Sequence, residues 1–218
     1  MTTNFWSPLQ LSLEISVVAG IIVIILGILC ARLMARKTFR GKAVVETIFL
    51  LPLVLPPSVV GFLLIVVFGQ HSPLGRAIEW VFHQPIIFTW WAAVISAIVV
   101  AFPLMYQSAR TGLEAVDRDI EDAARVDGAG EWKVFRSISI PLAIKSLVAG
   151  GVLSVARALG EFGATLMFAG NIPGKTQTTP TAIYLAIDSG NMHLAWLWVL
   201  SMIGISFLML IIVNLIRD

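Results

Sequence analysis

Apolar residues in this chain run in long blocks instead of alternating with polar ones. Thr47–Gly75, Val81–Ala109 and Ser189–Ile216 contain no Asp, Glu, Lys or Arg. A helix that crosses a bilayer needs about 20 apolar residues, so each block is long enough to span. The pattern predicts five spans, at about 11–34, 43–68, 86–108, 142–167 and 194–216, and a polar connection at about 110–141. The expected fold is all-α, a single transmembrane domain over residues 1–218.

Composition sharpens that reading. Only 13% of the 218 residues are charged and 58% are hydrophobic, whereas soluble domains average about a quarter charged. The single Cys30 lies inside the first apolar block, which leaves no disulfide framework and makes it a packing residue. The first residues, Met1–Pro8, lack the basic region of a cleavable signal peptide, so the first span is expected to remain.

Charge placement then orients the chain. Arg32, Arg36, Lys37, Arg40 and Lys42 follow the first span. Arg110, Arg118, Arg125, Lys133, Arg136 and Lys145 lie in or beside the long connection, and Arg217 closes the chain. Those twelve oppose Arg76 and Lys175 on the other side. Cytoplasmic loops carry the excess of Lys and Arg, so the N-terminus is expected outside and the C-terminus and long loop in the cytoplasm.

The second span is unusual. Pro52, Pro56 and Pro57 stand near its centre, where each removes a backbone hydrogen bond. Such a break is tolerated at membrane depth only where protein or a wet cavity satisfies it. It reads either as a hinge beside a translocation path or as a kink that improves packing. Outside, His71–Gln84 with Trp80 and Phe82 suggests an interfacial helix. Asn171–His193 carries an apolar stretch, Ala182–Ile187, too short to span and expected to fold back.

Catalytic chemistry finds little support. Ala169–Thr176 matches a loose phosphate-loop pattern, but that loop requires a preceding strand, and here a membrane helix precedes it. His71, His83 and His193 lack metal-ligand spacing, and no Ser or Cys sits in a nucleophile elbow. Transport is the remaining expectation, with no cofactor and no nucleic acid bound by this chain.

The long loop has six basic and seven acidic residues between Arg110 and Lys145, too balanced for a lipid-binding segment. Val116, Ile120, Ala123 and Ala124 share one helical face, Gly128–Gly130 breaks the helix, and Trp132 and Phe135 begin a second apolar face. Two short helices at an angle suit insertion into a protein cleft; an ordinary solvated connector is the plainer alternative.

Here the residues carry a resemblance. Asp122-Ala123-Ala124, then Gly128, nine residues, and Ile138-x-Ile140-Pro141 resemble the EAA motif of ABC importer permeases, EAAxxxG followed after nine residues by IxLP. Asp122 replaces Glu and Ile140 replaces Leu, while Glu121 supplies a neighbouring carboxylate. Leu50–Gly61, Ala156–Thr165 and Asn171–Gly174 are similar to the molybdate branch of that family, with close variants in sulfate and tungstate permeases. The resemblance covers about Leu11 to Ile216.

It implies a type I importer permease fold and a coupling loop comprising Glu121, Asp122, Ala123, Ala124, Gly128, Trp132, Phe135 and Pro141. The partners it implies are a second permease copy, a cytosolic ATPase dimer that uses ATP and Mg, an extracytoplasmic oxyanion-binding protein and the lipid of a bacterial inner or plasma membrane. Candidate path or gate residues are Pro52, Pro56, Pro57, Arg157, Glu161, Phe162 and Thr165. Arg157 and Glu161 lie four apart, on one helical face, with Glu161 about 30 Å along the span from Pro141. The pair either tunes an oxyanion path or orients the helix, and its local neutrality favours the second. Glu14 and Glu46 read as interfacial or packing residues. A sulfate or tungstate permease, or a stand-alone channel or secondary transporter, are the competing expectations.

Overall fold

A computed structural model describes residues 5–217, with side chains through Leu215. Residues 1–4 and the side chain of Arg217, which entered the expectations above, lie outside the described residues. The regular elements of the described residues are all helices, from α1 (Trp6–Ala35) to α11 (Met192–Arg217). Four helical stretches can cross a membrane unbroken: Trp6–Ala35, Trp90–Glu114, Glu131–Leu159 and Met192–Leu215.

The second expected span is not one rod. α2 (Lys42–Val54) and α3 (Pro57–Phe68) meet at a 119° bend. Leu55 and Pro56 are extended, with ψ 140° and 139°. The cause is local, because each residue precedes a proline, whose ring disfavours the helical region for its predecessor. Pro57 then starts α3 at the first helical position, where its missing N–H costs nothing. Pro52 sits inside α2, two residues from its end.

The fourth expected span, 142–167, also differs. Its helix starts earlier, as α7 (Glu131–Val134), a π-helical turn (Phe135–Ser139) and α8 (Ile140–Leu159) in unbroken succession. Pro141 does not end this helix. Its ring would clash with a carbonyl four residues back, and the wider π turn just before it, where Ile140 N donates to Phe135 O, relieves that crowding. The helix stops instead at Gly160, and α9 (Gly163–Phe168) follows as a separate piece.

α5 (Trp90–Glu114) forms the centre, packed between α1 and α8. Without a hydrophobic drive between helices in lipid, close approach depends on small residues at the contact. Along α1, Ala19, Gly20, Val23, Gly27 and Ala31 form the buried stripe. A Cβ added at Gly27 would lie 2.6 Å from Met105 Cγ, and one at Gly20 only 2.4 Å from Val155 Cγ2. α2 has no buried residue and attaches to α5 through Glu46–Arg110, 2.8 Å, and through Phe49, whose ring meets Tyr106 edge-on at 5.1 Å. Glu46 is thus a packing residue, while Glu14 is exposed.

Two further short helices lie outside the spans. α4 (Pro73–Phe82) leaves Trp80 and Phe82 exposed at 82% and 70%, the form expected of an interfacial helix. α10 (Thr179–Asp188) folds back between α1 and α11, where Thr179 N donates to Ser12 Oγ at 2.7 Å and its hydroxyl to Pro8 O at 3.0 Å.

Replacing Gly27 by Leu is expected to push α1 off Met105 and cost about 1–3 kcal/mol, the usual range for overpacking. Gly204→Leu, at a site with nothing within 4 Å, is the control. Thermal midpoints in detergent should fall for the first variant and not for the second.

Candidate functional site

Two regions gather the candidate residues: the elbow at the basic end of the bundle, and the meeting of the two helix breaks.

At the elbow, α6 (Arg118–Val126) begins at Asp117, whose side chain accepts from Asp119 N at 3.0 Å. It ends on Gly128, which adopts φ +85°, the left-handed geometry that L residues avoid. Gly128 N donates to Arg125 O and Ala129 N to Ala124 O, each at 3.0 Å, so two orphan carbonyls are satisfied as the chain turns. A glycine is required here by backbone conformation and not by crowding, since nothing lies within 4 Å of an added Cβ.

The face expected to be apolar divides in two. Val116 is buried, whereas Ile120 is exposed at 47%; Trp132 of the second expected face is exposed at 59%, and Val126, on neither face, at 87%. Ala123 is exposed, Ala124 half-buried, Phe135 buried, and Pro141 exposed. The elbow therefore presents an uncovered apolar surface of Ile120, Ala123, Val126 and Trp132 beside exposed charge.

Of the two neighbouring carboxylates, the structure separates the roles sharply. Asp122 is exposed and pairs with Arg125, whose guanidinium is pushed above its ordinary range by hydrogen bonds to Glu131 and then Asp122. Glu121 is only 3% exposed. It accepts from Arg36 of α1 and from Ser139 Oγ at 2.7 Å. Arg36 also reaches Val116 O at 3.1 Å. Arg32, one turn earlier, lies 4.2 Å from the Phe135 ring centroid and 4.9 Å from that of Trp132, and donates to Glu131 O at 3.3 Å. A cleft of about 650 Å³ lies among these groups, with Leu29, Leu33 and Lys37 on its walls. The sequence counted Arg32 and Arg36 only as orienting charge; their four-residue spacing, which puts both on one face of α1, was the available signal.

The second region joins segments about a hundred residues apart. α3 packs on α9: a Cβ at Gly163 would sit 2.7 Å from Pro57 Cβ, and one at Gly61 would sit 2.8 Å from Met167 Cβ and 3.1 Å from Ala164 Cα. Pro56 and Pro57 are exposed, Pro52 half-buried, and Thr165 buried. Phe162 is half-buried against Tyr184 of α10, ring centroids 5.6 Å apart.

Glu161 lies beyond the end of α8, in the break, and not on the continuous helix the spacing implied. It still pairs with Arg157 at 2.9 Å, side chains 2% and 32% exposed respectively. Its Oε1 accepts Ala164 N at 2.9 Å, which satisfies one of the amides freed where α9 starts. One carboxylate thus serves an ion pair and a helix start. The 169–176 loop turns inward: Lys175, Thr176 and Gln177 all direct their amides to Ile172 O at 2.9–3.1 Å.

Removing the Glu161 carboxyl leaves Arg157 unpaired and the α9 amide orphaned. Glu161→Ala is expected to cost about 3 kcal/mol, the low end for a broken buried pair because Arg157 is partly exposed. Glu161→Gln keeps an acceptor for Ala164 N and should cost less. The order of thermal midpoints, wild type above Gln above Ala, checks this.

Comparison with known proteins agrees with this architecture. The chain is 64% identical over 212 residues to the putative molybdenum transport system permease protein YvgM of Bacillus subtilis (strain 168), covering 97% of this chain and 93% of that one. It is 45% identical over 190 residues to the molybdenum transport system permease protein ModB of Escherichia coli (strain K12), covering 87% and 82%. A bacterial alginate ABC transporter, crystallised with an alginate pentasaccharide-bound periplasmic protein, shares the fold with a TM-score of 0.78 at 16% identity, over 98% of this chain and 78% of that one. The family described as "Binding-protein-dependent transport system inner membrane component" matches residues 11–218, and this multi-pass membrane chain belongs to it.

Proposed function

We propose that this chain is the membrane-spanning permease subunit of an ATP-driven importer of molybdate. The observation that carries the cargo is its similarity, over nearly all of its length, to molybdenum-transport permeases. The two segments most characteristic of that branch, Leu50–Gly61 and Ala156–Thr165, also pack together in the fold through Pro57, Gly61, Gly163 and Ala164.

The chain sits in a bacterial inner or plasma membrane with its N-terminus outside and its C-terminus in the cytoplasm. The basic clustering supports this orientation, and the contacts of Arg32 and Arg36 with the elbow place those charges at one end of the bundle. A cytosolic ATPase dimer docks on the elbow. The exposed Ile120, Val126 and Trp132 offer the apolar contact, and Asp122, Arg125 and Glu131 the charged rim. ATP and Mg are used by that partner, and this chain contributes the pore and no catalytic group.

Two copies form the pathway. Backbone broken at membrane depth must be covered by protein or face a wet cavity, yet Pro56 and Pro57 stand at the surface of a helix pair whose Val54 and Phe62 are exposed at 82% and 57%. A second copy across that surface provides both the cover and the cavity. An extracytoplasmic oxyanion-binding protein delivers the cargo to the end bearing α4 and α10. Arg157, Glu161, Phe162 and Thr165, with the proline run, border the path at the paired breaks. Because Glu161 neutralises Arg157, the anion meets a weak site and can leave it, as conduction requires.

Competitive uptake into vesicles containing the permease, the ATPase and the binding protein tests the cargo. ATP-dependent molybdate uptake should be inhibited more strongly by unlabelled molybdate than by sulfate; preference for sulfate would overturn the assignment. Anion flux from this chain alone, without ATP, would overturn the importer reading. For the elbow, Gly128→Val forces a β-branched residue into φ +85° at a cost of about 1–2 kcal/mol and is expected to abolish assembly or uptake. Gly128→Asn should retain both. Full ATP-dependent uptake by the Val variant would refute the docking role.

A further inference from the structure

The buried carboxylate of the elbow is Glu121, one residue outside the Asp122–Gly128 match, and it gathers three separate segments. Arg36 approaches from the end of α1, Ser139 from the π turn, and Arg125 from α6 itself, with Nη2 3.5 Å from Oε2. Arg36 also holds Val116 O just ahead of α6, while Arg32 stacks on Phe135 and Trp132. The last turn of α1 therefore grips both arms of the elbow, although about eighty residues of chain separate it from α6. α1 in turn packs tightly on the core, with Gly20 against Val155 and Gly27 against Met105.

A buried ion pair is weak evidence of stabilisation, because desolvation offsets most of its attraction. Its strength is directional: charge-assisted bonds fix relative geometry, where a greasy contact could slip. The uncovered face of α6 holds Ile120, Val126 and the exposed Asp122, so Glu121 is turned away from anything that docks there.

We propose that Glu121 is a positioning residue that clamps the docking helix to α1, so that a push on α6 moves α1 together with α8 instead of bending the loop. This deepens the importer reading and rests on it. Without the clamp, α6 would follow the ATPase while the spans lagged behind, and ATP would be spent without transport.

The test uses the reconstituted complex with Glu121→Gln, which keeps the size and hydrogen-bonding capacity of the side chain and loses its charge. It should assemble and hydrolyse ATP at near wild-type rates, while molybdate taken up per ATP falls roughly tenfold or more, the loss of about one charged hydrogen bond. Arg36→Gln, altered from the other side, should behave alike and carries the test if Glu121→Gln does not assemble. The reversed pair Arg36→Glu with Glu121→Arg should recover part of the coupling. Unchanged uptake per ATP in both single variants would overturn the clamp, as would ATP hydrolysis and uptake falling in proportion, the mark of a docking defect.

A readout independent of transport separates this inference from the importer reading. Spin labels at Leu33 and Val126 of the full-length chain in nanodiscs should show one narrow distance, broadened in Glu121→Gln. An unchanged distribution would sink the clamp even if wild-type uptake is normal. Broadening with no ATP-driven uptake by the wild-type complex would retain the clamp and overturn the function.

Discussion

In hydrocarbon no water is present to satisfy a free N–H or C=O, and this constraint governs where the chain is allowed to break. Two interruptions occur, at Leu55–Pro56 and at Gly160–Phe162, and each is handled by its own residues. At the first, Pro56 and Pro57 have no N–H to orphan, and Val59 N and Val60 N of α3 both reach Pro56 O, at 2.9 and 3.2 Å. At the second, Gly160 N returns to Ala156 O, Glu161 N to Ala158 O, and the Glu161 side chain takes the amide of Ala164. The prolines and the glutamate answer the same need by opposite means, one by deleting donors and the other by supplying an acceptor.

Charge is used with similar economy. Pairs at the surface, such as Arg125 with Asp122, contribute little, since solvent and salt screen them. The carboxylates of Glu121 and Glu161 are different because both are buried and each bridges parts of the chain that the backbone does not hold together. Glu161 joins the end of α8 to the start of α9, and Glu121 joins α1, α6 and the π turn. Their removal takes from a partly exposed guanidinium, Arg36 or Arg157, its buried carboxylate partner.

The sequence pattern made the first, third and fifth spans legible because a helix buried in lipid needs only length and apolarity. Those two properties are blind to direction. Pro56-Pro57 stand inside an apolar block and Gly160–Gly163 inside the expected fourth span, so hydropathy passed over a 119° bend and a helix end. The prolines did mark the first break. The second was hidden because glycines inside a membrane helix more often mean close packing, as Gly150 against Ser108 does here. In the loop, Gly128 was readable as a helix stop, but Pro141 suggested a boundary that the π turn removed. Nor could spacing tell which of Glu121 and Asp122 is buried, since that depends on Arg36, far away in sequence.

These corrections alter how motion can travel. The helix from Glu131 to Leu159 is one rod of 29 residues, about 43 Å long, with the elbow at one end and the Glu161 break at the other. The elbow is therefore joined to the break at Gly160 by continuous helix and not by a loop. In the π turn i→i+5 bonding replaces the regular ladder, and Ser139 in that turn is hydrogen-bonded to Glu121. The proposed clamp thus meets the rod at its one irregular turn, and its Arg36 side is backed by the close glycine contacts of α1 with α5 and α8. At the far end the backbone helix does not continue into α9, but the Glu161 carboxylate holds the Ala164 amide and α9 packs on α3 at Gly163 and Pro57, so the rod's end is tied to both. One buried carboxylate, Glu121, therefore stands at the π turn of this continuous helix and a second, Glu161, at the break that ends it.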